Sequence, residues 1–266
     1  VDANEIEMNV EGSKLKATST SKPVQSIMFP AKPGSKNTRK TPGLMKQDQP
    51  VNGLSRELQY TGGDMSMLVL TGTATLVQGD KAETNVKADT ITVDGGTGNL
   101  LAQGSVISRM IVQELNPTTK AREASPSIGS GQRMNYEDAI RKVTYTTKAH
   151  VVGPNGDLTG ETIVLTLGEN GQDIEHLEAT GDVKFTEVDR ITTGDHLMYL
   201  AAKEEYTMTG KNRLVRMFRT TSEGCRRTDG QVLTFARATE ELRIIGRDET
   251  RTQTASDSSC PPPPKR

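Results

Sequence analysis

The side chains that most often carry acid–base or metal chemistry are few in this sequence and far apart. The histidines are His150, His176 and His196, and none of them stands in an HExxH pattern. The sequence also has no Gly-x-Ser-x-Gly elbow, no P-loop and no dinucleotide-binding fingerprint. Single histidines in strands are more often surface residues than ligands. We therefore expect no catalytic residue, no metal site and no cofactor.

The acidic residues that could assist such chemistry fall in or beside predicted turns. They are Asp157, Glu161, Asp182 and Asp195. Aspartate is common in turns because its side chain accepts hydrogen bonds from nearby backbone amides. These carboxylates therefore have a structural explanation, and the sequence predicts that the protein is not an enzyme.

The cysteines leave two readings open. Cys225 and Cys260 could form a disulfide in an oxidising compartment, since they are the two cysteines of the chain. They do not form a CxxC pattern, and free thiols fit the sequence as well.

A basic cluster lies in a segment rich in proline and glycine. Its members are Lys32, Lys36, Arg39 and Lys40. Such a cluster can meet a phosphate, but a solvated loop is the preferred explanation. Over the whole chain, 33 basic and 34 acidic residues give a formal charge of -1. No field that would attract nucleic acid is expected, so we predict no nucleic-acid partner.

The overall composition is lean for a compact globule. Hydrophobic residues make up 33% of the 266 residues, aromatic residues make up 3%, and the mean hydropathy is -0.56. An extended or half-open sheet fits this composition better than a large core. No run is apolar enough for a signal peptide or a membrane span, so we expect a mature chain or an excised fragment without a direct membrane span.

Alternating apolar and polar residues predict β-strands through most of the chain. Four patterns of strand, turn and returning strand begin at Ala3, Ala88, Gly160 and Gly230. Between them, a second unit contains LQY, MNY and LMY, which end at Tyr60, Tyr136 and Tyr199. These tyrosines are expected to be half-buried, with the hydroxyl at the rim. No segment keeps a helical period, so the sequence predicts an all-β fold of antiparallel hairpins.

Two segments interrupt the hairpin repeats. Residues 19–56 are rich in Lys, Pro and Gly, and residues 107–132 include a run rich in Pro, Ser and Gly, which predicts long connections. We divide the chain into four parts on this basis. They are a partial N-terminal hairpin (1–18), a basic loop (19–56), a body of hairpin repeats (57–246, with the loop 107–132) and a disordered tail (247–266).

A motif of the form Leu-x-(Ala/Ile)-x-Gly recurs in these strands. It occurs as LLAQGSV from Leu100, as LEATGDV from Leu177 and as LRIIG from Leu242. Glycine weakens a strand interior, so a repeated glycine indicates a repeated geometrical need. Large side chains from a facing layer could cover the small residues, as in a closed sandwich. Alternatively, the small residues bend the sheet and leave an apolar trough, and composition leaves both readings open.

A trough of this kind would suit acyl chains and would need no acid, base or metal. Burial of each CH₂ group contributes about 0.8 kcal/mol, so several acyl chains would supply ample affinity. The residues predicted to line it are Ile91, Val93, Leu100, Ala102, Val106, Ile163, Leu165, Leu177, Ala179, Val183, Phe185, Leu197, Tyr199, Met208, Leu214, Phe235 and Ile244.

The order of these motifs resembles the OstA-like periplasmic proteins of lipopolysaccharide export, the LptA and LptC group. The resemblance rests on the openings ANEI, ADTI and GETI, on the returns LLAQGSV and LEATGDV, and on GDHLMY at Gly194. It covers most of residues 58–246 and, more weakly, residues 1–20.

The resemblance implies a twisted, partly open β-jellyroll in the periplasm that binds lipid A acyl chains along its interior. It also implies end-to-end stacking, with copies of itself or with other Lpt components, into a bridge from the inner to the outer membrane. Unpaired edge strands favour such association independently, because they are templates for another chain. The alternative is a structural β-repeat that binds protein or glycan but no lipid, and it predicts an interior filled by side chains.

Overall fold

The computed structural model describes residues 1–9, 11, 13–30, 40–63, 66–79, 83–115, 122–171, 173–211, 213–221, 224–237, 239, 241–246 and 251–254. β-strand is the dominant structure in these residues, which confirms the all-β prediction. The strands are β1 (Glu5–Met8), β2 (Lys14–Thr18), β3 (Val24–Met28), β4 (Val51–Ser55), β5 (Glu57–Thr61), β6 (Met67–Gln78), β7 (Thr84–Asp94), β8 (Leu100–Leu115), β9 (Arg122–Glu137), β10 (Lys142–Gly153), β11 (Gly156–Leu167), β12 (Ile174–Thr186), β13 (Arg190–Leu200), β14 (Glu205–Thr209), β15 (Val215–Thr221), β16 (Gly224–Gly230), β17 (Val232–Ala236), β18 (Glu241–Ile245) and β19 (Arg251–Thr254).

These strands pair antiparallel and form one continuous sheet that is folded along its middle into two facing layers. The folding of the sheet into two layers is evident from the long strands, because they pair with different strands in their first and second halves. The first half of β6 pairs with β5 and its second half with β4. Likewise, the first half of β13 pairs with β15 and its second half with β14. We call the layer that contains β5 and β14 layer A, and the layer that contains β4 and β15 layer B.

Side chains of the two layers meet across the interior. The rings of Phe185 in layer B and Tyr206 in layer A stack with their centroids 5.1 Å apart. The hydroxyl of Tyr145, in layer A, lies 2.6 Å from the hydroxyl of Ser108, in layer B. The molecule is therefore a β-jellyroll made from a single sheet, with its core between the layers.

The glycines of LLAQGSV and LEATGDV lie on the line along which the sheet is folded, whereas Gly246, the glycine of LRIIG, lies just after the end of β18. The pairing register of β8 shifts at Gly104 and Ser105, whose φ angles are 79° and 48°. The register of β12 shifts in the same way at Gly181 and Asp182, with φ angles of 77° and 51°. Two consecutive residues with positive φ turn the strand sharply, and glycine adopts this conformation without a Cβ clash. The geometrical need behind the motif is therefore a bend.

The neighbours of these glycines show that they do not open space in the interior. A Cβ on Gly104 would lie 2.1 Å from Oδ2 of Asp89, and a Cβ on Gly181 would lie 2.8 Å from Cβ of Glu161. Asp89 and Glu161 are exposed residues. The small residues were expected both to bend the sheet and to leave an apolar trough. The glycines bend the sheet, but they do not widen a trough.

The three tyrosines of the second unit differ in burial. Tyr60 and Tyr199 are half-buried, as expected, whereas Tyr136 is 1% exposed. Burial, with the nearby charge and hydrogen bond of Asp138, raises the pKa of the Tyr136 hydroxyl above its usual range. The difference arises because residues 40–50 cover Tyr136, and a Cβ on Gly43 would lie 2.7 Å from its hydroxyl oxygen.

The structure corrects the expectation of an extended loop at residues 19–56. Strands β3 and β4 lie in this segment and pair with each other, and Val24 and Val51 are fully buried. The two strands are short, and the Pro-rich residues that flank them masked their alternation in the sequence. Of the basic cluster, Lys32, Lys36 and Arg39 lie outside the described residues.

The expected connection at residues 107–132 is also corrected, because most of it is a long hairpin. β8 continues to Leu115 and β9 begins at Arg122, with pairs such as Val112 with Ser125. Strand pairing overrides the local propensity of Ser and Gly here. In the expected tail, residues 251–254 form β19, which pairs with β16. The division of the chain into four parts remains a prediction.

Candidate functional site

The residues predicted to line a trough face the interior of the folded sheet, with one exception. Those packed in the core are Ile91, Val93, Leu100, Ala102, Val106, Ile163, Leu165, Ala179, Val183, Phe185, Leu197, Met208 and Phe235, with Leu177, Tyr199 and Ile244 partly buried against them. Leu214 is 54% exposed. Its neighbour Val215 is buried, and adjacent residues of an extended chain face opposite sides, which accounts for the exception.

The middle of the interior is filled by side chains. Ala102 and Ala179 have no exposed surface. Tyr145 crosses the interior beside them, and its ring occupies the space where a Cβ on Gly129 would otherwise lie. Burial raises the pKa of the Tyr145 hydroxyl to about 12. A continuous open trough is therefore absent from this part of the described structure.

One cavity opens between the layers on the C-terminal side of this filled region. Its apolar wall includes Leu158, Ile174, Leu177, Phe185, Leu197, Tyr199 and Tyr206. The Tyr199 and Tyr206 rings stack with centroids 4.4 Å apart, so one part of the wall is aromatic and the rest is aliphatic. We call this the C-terminal cavity.

The rim of the C-terminal cavity is polar and links the two layers. Arg237, at the end of β17 in layer A, donates a hydrogen bond from its guanidinium to Oδ1 of Asn155, in the turn before β11. Its backbone amide donates to the carbonyl oxygen of Glu204 at 3.0 Å. The apolar wall is thus open to solvent through a polar rim, the usual composition of a site for a largely apolar ligand.

A largely buried ion pair lies beside the cavity wall. Nε of Arg190 lies 3.1 Å from Oε2 of Glu187, and its guanidinium stands 3.8 Å from the centroid of the Phe235 ring. Burial raises the pKa of the Glu187 carboxyl, although the charges of Arg190 and Arg237 oppose this shift. The pair is satisfied within the protein and offers no free charge to a ligand.

A second cavity lies between the layers near the N-terminus. Its wall includes Leu15, Met28, Leu58, Tyr60, Leu68 and Val93. Phe29 also borders it and is 70% exposed, so this end of the molecule presents apolar surface to solvent. We call this the N-terminal cavity.

Both cavities are small. The C-terminal cavity has a volume of about 100 Å³ and the N-terminal cavity about 160 Å³. A cavity of about 150 Å³ accommodates a molecule of the size of benzene. Each cavity therefore admits a part of an acyl chain rather than a whole lipid, unless the layers or their covering move.

Residues 40–50, which we call the strap, cross the open side of the folded sheet between the two cavities. The strap leaves layer B after β3 and returns to layer B at β4. In between, it reaches turns of layer A, because the amide of Lys40 donates to the carbonyl oxygen of Gly95 at 2.7 Å and the amide of Gly43 donates to Oδ1 of Asp138 at 2.8 Å.

The strap also contributes apolar side chains to the core. Leu44 is 7% exposed and Met45 is 2% exposed, and both pack with the buried residues between the layers. Gln78 fixes the far end of the strap, since its side-chain amide donates to the carbonyl oxygens of Lys46 and Gln49 at 2.8 and 3.0 Å. This arrangement was not predictable from the sequence, because a Pro- and Gly-rich segment carries no periodic pattern.

Two of the histidines and three of the carboxylates have polar partners at the surface. Nε2 of His150 lies 2.8 Å from Oδ1 of Asp157, and Nε2 of His196 lies 2.8 Å from Oε1 of Glu178. Arg213 lies 2.7 Å from Asp182 and 2.9 Å from Asp195, at the bend of β12 and β13. Among the residues that the structure describes, no group of three His, Cys, Asp or Glu side chains is placed to hold a metal ion.

Cys225 lies in β16 and is buried and disulfide-bonded. Cys260, the partner expected from the sequence, lies outside the described residues. The strand β19 runs beside β16, with Arg226 opposite Thr254. The chain therefore returns past Cys225 shortly before residue 260.

The folded antiparallel sheet with apolar cavities between its layers is a β-jellyroll. Residues 130–241 match the family model described as "LptA/(LptD N-terminal domain) LPS transport protein". This match confirms the resemblance to lipopolysaccharide transport proteins over the part of the chain that holds the C-terminal cavity. The description of this family is that of a transport protein.

A solved structure is also similar to part of the chain. The chain is similar to the crystal structure of LptH, the LptA homologous periplasmic component of the lipopolysaccharide transport device from Pseudomonas aeruginosa, with 18% identity and a TM-score of 0.37 over 50% of this chain and 83% of that chain. No curated protein sequence matches the chain. Within the described residues, no helix is long and apolar enough to cross a membrane.

Proposed function

We propose that the protein is a periplasmic lipopolysaccharide transport component that holds acyl chains of lipid A between its two layers. The observation that carries this proposal is the C-terminal cavity, whose apolar wall lies mainly within the residues that match the transport family. Its ligand would be bound by burial of apolar surface, at about 0.8 kcal/mol per CH₂ group. The predicted interior residues other than Leu214 are the proposed acyl-binding set.

The ends of the molecule support the proposal that it joins copies of itself or other Lpt components into a bridge between the membranes. Among the described strands, β1 and β3 lie at one end of the folded sheet, and β18 and β19 lie at the other. Within the described residues, β1, β18 and β19 each present an edge that pairs with no other strand, and another strand can be added there. The edge of β3 is partly covered, because Gln25 exchanges backbone hydrogen bonds with Asp2. Ile6 and Met8 in β1 and Ile245 in β18 are exposed, as expected of surfaces that a partner covers.

The experiment that tests lipid binding compares two tryptophan substitutions. Leu177→Trp places a large side chain in the wall of the C-terminal cavity, whereas Leu214→Trp changes an exposed residue outside it. Native mass spectrometry of the purified proteins mixed with lipopolysaccharide measures the bound fraction. We expect wild type and Leu214→Trp to bind equally and Leu177→Trp to bind at least several-fold less.

The fully buried residues Ala102 and Ala179 favour a second candidate, a closed structural β-repeat that binds no lipid. The same measurement separates the two candidates. Wild type that remains free of lipopolysaccharide, or a folded Leu177→Trp variant that binds as well as wild type, would contradict the acyl-binding proposal. Substitution of Ala102 or Ala179 by Trp is a poorer test, since overpacking of a filled core destabilises the fold itself.

A further inference from the structure

The strap lies where a ligand that reached from one cavity to the other would have to pass. The N-terminal cavity is bordered by strap residues Lys40 and Thr41. On the other side, a Cβ on Gly171 would lie 2.8 Å from the carbonyl oxygen of Gly43. Ile174, three residues further along, lines the C-terminal cavity. The strap therefore reaches from the border of the N-terminal cavity to the turn that leads into the wall of the C-terminal cavity.

We propose that the strap is a built-in occupant of the acyl-chain path, and that binding of lipopolysaccharide displaces it. In the lipid-free protein, Leu44 and Met45 take the space that acyl chains fill once the cavities are joined. This inference rests on the proposed function and adds to it a closed state of the site. It also accounts for cavities that are too small, at about 100 and 160 Å³, for a whole lipid.

The contacts of the strap suit a segment that exchanges with a ligand. Its apolar side chains could be replaced by acyl chains with little net change in buried apolar surface. It has no regular secondary structure between Lys40 and Pro50, and its described hydrogen bonds to the layers are concentrated on Gly95, Asp138 and Gln78. Its ion pair, Lys46 with Glu83 at 2.8 Å, is solvent-exposed and contributes little to stability.

Two closed-state links act at opposite ends of the strap. Asp138 accepts the hydrogen bond from the Gly43 amide, and Gln78 both accepts from the Lys46 amide at 2.6 Å and donates to two strap carbonyls. If the closed state excludes lipid, weakening either link raises the fraction of open protein and tightens the apparent affinity by the same factor.

The first test uses wild-type protein and hydrogen–deuterium exchange. The amides of Lys40, Gly43 and Lys46 are hydrogen-bonded to the layers and should exchange slowly without lipid. We expect saturating lipopolysaccharide to accelerate their exchange while the amides of β10 and β11 stay protected. Bound lipopolysaccharide with unchanged protection of the strap would overturn the inference and leave the proposed function standing.

The second test measures lipopolysaccharide affinity in variants. Gln78→Ala and, separately, Leu44→Ser with Met45→Ser should bind about tenfold more tightly than wild type. Gln59→Ala is the matched control, since its side chain is exposed and bonds to Glu57 without contact to the strap, and it should bind like wild type. Folded variants that bind no better than wild type would show that the strap is a fixed part of the wall. Absence of binding in all of these proteins would overturn both the proposed function and the displacement.

Discussion

At the scale of single residues, the glycines on the fold line act through their backbone conformation. Gly104 and Gly181 combine a positive φ with a close neighbour, so a side chain at either position meets two separate penalties. The same pairing of residues recurs at Gly72 and Thr73, with φ angles of 82° and 54°. Bending is therefore encoded locally in β6, β8 and β12.

Gly181→Ala should lower the free energy of unfolding by about 1–3 kcal/mol, because alanine is strained at φ 77° and its Cβ would contact Glu161. Gly63→Ala is the matched control. Gly63 has φ 95° but no atom within 4 Å of an added Cβ, so it reports the backbone penalty alone. Urea denaturation of both variants gives the two values. Equal losses would show that the contact with Glu161 contributes nothing.

Two carboxyl groups should give opposite pH dependences of stability. Burial raises the pKa of Glu187 in the folded state, so its contribution is present below the unfolded value of about 4.5 and is lost as the pH rises through the folded pKa. Burial also acts on Asp229, but hydrogen bonds from Arg227 and Arg216 outweigh it and lower the pKa. The contribution of Asp229 is therefore present above the unfolded value of about 3.8 and is lost as the pH falls.

Thermal denaturation of Glu187→Gln and Asp229→Asn across the acidic range measures these slopes. Relative to wild type, Glu187→Gln should become more stable as the pH rises from below 4.5 to neutral, whereas Asp229→Asn should become less stable over the same change. Parallel curves for Glu187→Gln and wild type would mean that the Arg190 charge fully compensates the burial of Glu187.

At the scale of elements, the two layers are joined by side chains that reach across the interior. Tyr145 and Ser108 form one such link between β10 and β8, which are not neighbours in the sheet. Tyr145→Phe should lower the free energy of unfolding by about 1 kcal/mol, since the Ser108 hydroxyl retains its bond to the Gly129 carbonyl oxygen at 3.3 Å. A double-mutant cycle with Ser108→Ala isolates the link, and strict additivity of the two losses would argue against it.

The strands with clear alternation were predictable from the sequence, and the elements defined by long-range contacts were not. LEATGDV predicted both a strand and an unusual demand at its glycine, because both signals are local. The sequence predicts a connection where β3 and β4 lie. Each strand is only five residues long, and neither segment contains a local pattern that indicates its pairing with the other. The burial of Leu44 and Met45 depends on turns at Gly95 and Asp138, far along the chain, so no local pattern could reveal it.

The interior faces of the strands were predictable in outline for a similar reason. Alternation predicted which face of each strand points to the interior. The prediction for Leu214 was wrong because this residue lies just before β15 begins. Which interior positions border free space depends on how the opposite layer fills them. The roles of Tyr206, Asn155 and Arg237 in the C-terminal cavity therefore became visible with the fold.

At the scale of the whole molecule, the two ends of the folded sheet decide how it associates. Ile6→Lys places a charge on the edge strand β1, where Ile6 is 48% exposed, and should reduce concentration-dependent self-association measured by light scattering. Ile140→Lys is the matched control, because Ile140 is 50% exposed but lies in the turn between β9 and β10, away from both ends. Equal association of the two variants would place the contact elsewhere.

The fold line also has a consequence for the dimensions of the molecule. A closed barrel must contain the number of strands that fits its circumference, and adding a hairpin changes its radius. Here each long strand crosses the fold line once, so an inserted hairpin would extend both layers equally and leave the cross-section unchanged. Each such insertion would lengthen the protein by about 10 Å, twice the spacing between neighbouring strands. The number of hairpins that the sequence encodes thus sets the length of the molecule in fixed steps, and the packing of the interior does not have to change.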